Sequence, residues 1–404
     1  MNAKPELENP LRMSRKKSLL SAGMILLNVA VIIVIAFMEF GGGDGVAFPV
    51  LFETLRQGNN YLYLAGAVLL TLGMILLDSI KYMIAIRASE GRAKFGFGYK
   101  CGAIGRYYDN ITPLAIGGQP FQMHYLTQKK LPAHKALGVV LLVFFMQQFS
   151  FLIISPYFLI HGTLHAGTAA YFKILMWVGY FFFAIPPAMI ILMTIKPSVA
   201  MSAVNFFLKI LKKLRILKNT DKLSGRITRS LECYRETIIS FWKRKASVII
   251  IFLISAAQFF MLFLIPYFVC RSLGAPQAAT VSMFSQMVVI FFAITIIPTP
   301  GNSIAAEFGF YALFLNILGA SVFFGILLWR FLVFYIYLLQ GLAIIVTRLI
   351  NNAVKAKRYY RGIAAGGILP QPAHDSEAAE GLAEGVGGAI LGGAKDEGEG
   401  TKQQ

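Results

Sequence analysis

The sequence predicts an all-α polytopic membrane protein, with about six full transmembrane helices and two shorter re-entrant hairpins broken by proline and glycine. Three observations point there. Apolar runs of spanning length recur along the chain, and basic residues concentrate in alternate loops. In addition, two segments set Pro, Gly and polar side chains into otherwise apolar surroundings.

A hydrocarbon layer roughly 30 Å thick takes about 20 apolar residues in helix. Ser18–Met38, Asn60–Ala85, Ala136–Ile160, Tyr171–Ile195, Ala246–Val269 and Ala320–Thr347 qualify. A chain that is 57% hydrophobic and 14% charged, with runs of this length, falls outside the soluble globular class. The first run follows Arg12, Arg15, Lys16 and Lys17 but exceeds a signal-peptide core and lacks a small-residue cleavage site, so it reads as a retained helix. Cys101, Cys233 and Cys270 are scattered, which indicates neither a disulfide framework nor a metal knuckle. His161 and His165 have helical ligand spacing but no nearby carboxylate, so no metal site and no cofactor is expected.

The formal charge of +19 is distributed as a membrane protein distributes it. Lys4–Lys17, Arg87–Arg106, Lys129–Lys135, Lys196–Lys245 and Arg348–Arg361 are basic, whereas Glu39–Asn59 and His161–Ala170 are acidic or nearly uncharged. The positive-inside pattern puts both termini in the cytoplasm of a cell membrane and explains the charge without nucleic acid. The organisation that follows is a basic cytoplasmic segment 1–17, a transmembrane domain 18–361 and a Gly/Ala/Glu-rich tail 362–404 expected to be disordered. Within the domain, loop 196–245 carries thirteen basic residues, and its start, AVNFFLKILKKLRIL, reads as an amphipathic interfacial helix.

The topology leaves two broken segments that read as re-entrant hairpins, although the arms of the second are nearly long enough to span, which gives six to eight spans by hydropathy. Phe95–Gln128 must leave on the side it enters, because basic residues flank both ends; it breaks at ITPLAIGGQP. Ala279–Leu318 breaks at IIPTPGN and precedes the long run that ends at Arg348. By this count the two hairpins enter from opposite faces, an inverted repeat of the kind transporters use to build a midplane site. Irregular backbone at membrane depth survives only against protein or a wet cavity, so these breaks are expected to line one.

The first break and its flanks supply Arg106, Asp109, Asn110, Thr112, Gly117, Gly118, Gln119, Gln122, His124 and Tyr125 as cavity-lining candidates. The N–H groups at the start of the second arm would suit a phosphate. The second break supplies Pro298, Pro300, Gly301 and Asn302, followed by Glu307, with Arg330 in the next helix. Glu307 and Arg330 either pair to lock two helices or serve a substrate. Asp78 and Lys81, one turn apart near the cytoplasmic end of their helix, are expected to pair with each other. No nucleotide-cradling loop or nucleophile elbow is present, so no catalytic residue is assigned.

With both motifs in hand, NITPLAIGGQPFQMHYL and PTPGNSIAAEFGFY resemble the paired signatures of the lysylphosphatidylglycerol synthase/flippase family, over roughly Ser14 to Arg361. Gln119 stands where many relatives carry Asp, and Gln122 where many carry Arg. The resemblance implies a lipid translocator whose substrate is a polar-headed phospholipid, anionic or lysylated phosphatidylglycerol. It also implies a role in surface charge and in resistance to cationic antimicrobial peptides. Full-length members add a cytoplasmic domain that moves lysine from tRNA to phosphatidylglycerol, for which this chain has no evident room. The alternatives are a phosphatidylglycerol lysyltransferase, the one reading that needs tRNA, and a non-transporting scaffold. Homo-oligomerisation is left open.

Overall fold

The computed structural model describes residues 48–57, 60–112, 117–165, 170–196, 244–276, 280–297 and 305–364, with isolated positions 198, 202 and 302. The first apolar run, nearly all of the basic loop, the C-terminal tail, and Pro298, Pro300 and Gly301 lie outside the described residues. Residues 32–344 form one compact unit; of the second, 1–31 with 345–404, the described part is the helix that runs on to Ala364.

Every described element is helical. In order they are α1 (Phe48–Arg56), α2 (Asn60–Glu90), α3 (Phe95–Ile111), α4 (Gly118–Gln128), α5 (Ala133–His165), α6 (Ala170–Ile195) and α7 (Lys245–Ser272). Then come α8 (Thr280–Ile294), α9 (Ala305–Leu318), α10 (Val322–Arg330), a π-helical turn Phe331–Tyr335, and α11 (Ile336–Ala364). Among the described residues, five stretches are long and apolar enough to cross a membrane: 60–90, 133–163, 172–192, 245–272 and 322–348. They coincide with five of the runs read from sequence.

Both broken segments are short helix pairs. α3 and α4, with 17 and 11 residues, rise about 26 and 16 Å, short of a roughly 30 Å layer. The return arm is shorter than its sequence suggests, because residues 112–117 are taken up by the break and Lys129–Leu131 close a turn against Leu126 and Thr127. α8 and α9, with 15 and 14 residues, rise about 22 and 21 Å, also short of that layer. Each hairpin is followed by a long helix, α5 in one case and α10 through α11 in the other.

α7 is the central post. It packs along α2 and also meets α5, α8 and α10. The first hairpin lies on α2 and α5, and the second hairpin's α8 lies on α5 and α6. Where α5, α7 and α8 meet, Phe151, Phe259, Phe263 and Phe284 interlock in edge-to-face and tilted pairs at centroid separations of 4.8–6.3 Å. Such aromatic pairs add specific geometry to apolar packing, and this cluster fixes the helices that carry the polar site. Pro156, Pro186, Pro187 and Pro266 sit inside spanning helices, where neighbouring helices accommodate the freed carbonyls.

The first hairpin approaches α2 at a glycine. A β-carbon on Gly98 would stand 2.2 Å from the Ser79 carbonyl oxygen, which is backbone and cannot swing aside. Gly96, two residues earlier, has open space. Gly98→Ala should therefore lower unfolding stability in detergent by about 1–3 kcal/mol, while Gly96→Ala leaves the melting temperature near that of the parent.

Candidate functional site

The polar centre is built on α2 and completed by the first hairpin. Asp78 lies nine residues before Arg87, about 14 Å along the axis. The sequence placed Asp78 near a helix end; helix α2 continues to Glu90 and moves it inward. The expected pairing with Lys81 is present, at 3.1 Å between Nζ and Oδ1, but it is one edge of a larger hub. Arg106 Nε, on α3, donates to Asp78 Oδ2 at 2.9 Å. Gln258 Nε2, on α7, donates to Asp78 Oδ1 at 2.9 Å. Lys81 Nζ donates to Gln258 Oε1 at 2.6 Å and to Gln147 Oε1 on α5.

Burial makes these contacts consequential. Asp78 and Lys81 are 6% and 2% exposed, and an unpaired charge at that depth would cost several kcal/mol. The Lys81 ammonium has three protons and finds three acceptors. Arg106 differs: its side chain is 35% exposed and, among the described residues, is hydrogen-bonded only through Nε. Its terminal nitrogens remain available, and its guanidinium lies 5.9 Å from the Tyr337 ring.

A polar pocket of about 80 Å³ opens here between α2, α3, α4 and α5. Asp78, Lys81, Arg106, Asp109, Gln119 and Gln122 line it, with Gln147 beside them and Val143 and Phe144 as the apolar wall. The space suits a small polar group with a few waters, not an acyl chain. Of the first-hairpin candidates, Arg106, Asp109, Gln119 and Gln122 are thus brought together.

The others serve the hairpin itself. The Thr112 hydroxyl accepts from Gly117 N–H at 2.9 Å, and Asp109 Oδ1 accepts from Gly118 N–H at 2.8 Å. The N–H groups that the sequence offers to a phosphate are therefore capped internally at both glycines. A β-carbon on Gly118 would stand 2.6 Å from the Gly105 carbonyl oxygen, so the arms close only over glycine. Gln122 Nε2 donates to the Tyr82 hydroxyl at 2.7 Å and to the Cys101 carbonyl at 3.1 Å, tying α4 to α2 and α3. Asn110 Nδ2 donates to the Phe334 carbonyl in the π-turn at 3.4 Å. His124 lies 2.6 Å from Gln128 Nε2, and Tyr125 is buried edge-on to Phe97. His161 Nδ1 lies 3.1 Å from Ser285 Oγ.

At the second break, Arg330 Nε pairs with Glu307 Oε1, and Arg330 Nη2 donates to the Asn302 carbonyl at 3.4 Å. The guanidinium lies 5.0 Å from the Trp329 ring and 5.4 Å from the Phe334 ring. Glu307 and Arg330 therefore clasp α9 to α10. Both hairpins carry the same device with the charges exchanged: arginine on the first hairpin, carboxylate on the second.

Residues 23–341 match the family described as the lysylphosphatidylglycerol synthase TM region. The chain belongs to that family. The match takes in both hairpins and every residue of the polar centre just described. The chain is also similar to a curated member of the membrane proteome of Archaeoglobus fulgidus, a UPF0104 membrane protein. The two are 24% identical over 289 residues, which is 70% of this chain and 85% of that one. In this lysylphosphatidylglycerol synthase-type membrane region, Asp78, Lys81, Gln147 and Gln258 are not among the cavity-lining residues that the sequence suggests. The missed signal was a polar side chain inside an apolar run, as in FFMQQFS and SAAQFFM.

Removing one partner of the second clasp strands the other. Arg330→Met should destabilise the detergent-solubilised protein by about 3–5 kcal/mol. Glu307→Gln in the same chain should recover most of the loss, as read from thermal unfolding of the single and double variants.

Proposed function

We propose that this protein moves a polar-headed phospholipid between the leaflets of a cell membrane, with Arg106 holding the headgroup phosphate. The observation that carries the reading is the state of Arg106. It is anchored by one nitrogen to a buried carboxylate, and its remaining donors border a polar pocket of about 80 Å³. A guanidinium with a pair of free amino groups matches a phosphodiester in geometry and charge. Asp109, Gln119 and Gln122 supply further polar groups for the headgroup, and the pocket's size leaves the acyl chains outside in hydrocarbon.

Family membership supports a lipid substrate, since the family's description names lysylphosphatidylglycerol. That lipid joins an anionic phosphate to two ammonium groups, and plain phosphatidylglycerol is the simpler candidate. The alternation of basic and non-basic loops supports cytoplasmic termini and hairpins entering from opposite faces. Movement of such a lipid would alter surface charge and, through it, the binding of cationic antimicrobial peptides.

A leaflet-resolved assay tests the proposal. Purified protein reconstituted in vesicles containing fluorescently labelled phosphatidylglycerol should render inner-leaflet label accessible to a membrane-impermeant quencher. Arg106→Gln should slow that exchange by roughly tenfold or more, the loss expected for one charged hydrogen-bonding group. Equal exchange rates for the variant and the parent would remove Arg106 from the site.

A further inference from the structure

Lys81 lines the pocket yet has no proton to offer a ligand. Its ammonium is spent on Gln147 from α5, Gln258 from α7 and Asp78 one turn back on α2. All three anchors belong to long helices, so Lys81 is fixed to the scaffold. Arg106 stands on the short arm of a broken hairpin and is partly exposed. The two cations share one carboxylate: Lys81 takes Oδ1, and Arg106 takes Oδ2.

That sharing has a consequence for any anion drawn into the pocket. A guanidinium that turns to a phosphate loosens its hold on Asp78. Without a second cation the exchange would leave a buried carboxylate uncompensated, which is strongly unfavourable. We infer that Lys81 is the resident counter-ion of Asp78, a positioning residue that frees Arg106 to bind an anion it does not itself touch. The inference rests on the reading of Arg106 as a phosphate-binding group and adds the reason a second buried cation sits beside it. Gln258 completes the arrangement by donating to Asp78 while accepting from Lys81, so the carboxylate keeps two partners on Oδ1 when Arg106 leaves Oδ2.

Short-chain dihexanoyl phosphatidylglycerol, titrated calorimetrically into the purified protein, provides the test. Lys81→Met keeps Asp78 paired with Arg106 when empty but leaves the Gln147 and Gln258 amide oxygens without their donor, so the melting temperature should fall; measured well below it, affinity should drop roughly tenfold or more. Asp78→Asn added to Lys81→Met removes the stranded charge and should bring affinity back to within about twofold of the parent. Unchanged affinity in Lys81→Met overturns the inference, as does failure of the double variant to recover. If Lys81→Met yields no monodisperse protein, Lys81→Gln retains hydrogen bonding without the charge and is read by the same two criteria. Arg106→Gln separates the two claims. If that variant binds as tightly as the parent, the phosphate reading itself falls; if it loses binding while Lys81→Met does not, only the counter-ion role falls.

Discussion

The structure is organised around the need to keep one carboxylate charged in the middle of an apolar bundle. Asp78 draws a partner from α2 itself, one from α3 and one from α7, and through Lys81 it reaches α5. Four helices are therefore registered against a single side chain. Buried polar networks of this kind add little net stability over well-packed hydrocarbon, but a partly satisfied one is heavily penalised. The penalty is what makes the arrangement specific. Sliding α7 by one turn would remove Gln258 from both Asp78 and Lys81.

The same requirement, applied to backbone, shapes the first hairpin. A break at membrane depth frees N–H groups that hydrocarbon cannot satisfy. Thr112 and Asp109, both on the incoming arm or its end, cap Gly117 and Gly118 on the outgoing one. The hairpin thus closes on itself before it meets anything else, and Asp109 contributes to the pocket only with the oxygen that the cap leaves over. The headgroup reading consequently rests on a side chain, Arg106, rather than on an exposed helix start.

Much of this was legible in the sequence because length and punctuation carry physical meaning in a membrane. The spanning helices follow from apolar run length, and the hairpins from Pro113, Gly117, Gly118 and Pro120, and from Pro298, Pro300 and Gly301, in segments too short to cross. The Glu307–Arg330 contact followed from the cost of isolated charges. The hub did not. Gln258 meets Asp78 across 180 positions and Gln147 meets Lys81 across 66, and an amide in an apolar run carries no label for its partner. The continuation of α2 to Glu90 left less trace, because the polar residues Arg87 and Glu90 end the hydropathy signal before they end the helix. The π-turn left no trace, since FLVFY contains neither proline nor glycine.

That turn gives the last helix two phases. A π-helical turn holds one residue more than an α-helical path would, which swings everything beyond it by about 100°. Ahead of it, Trp329 stacks on Phe310 and Arg330 reaches Glu307, so this face answers to the second hairpin. Beyond it, Tyr337 lies under Arg106 and Gly341 sits flush with Tyr107, so that face answers to the first. A uniform α-helix would present both sets of residues a quarter-turn out of step and could mate with one hairpin at a time. The surplus residue works as an angular shim, and it makes a single rod the common axle on which both broken arms bear.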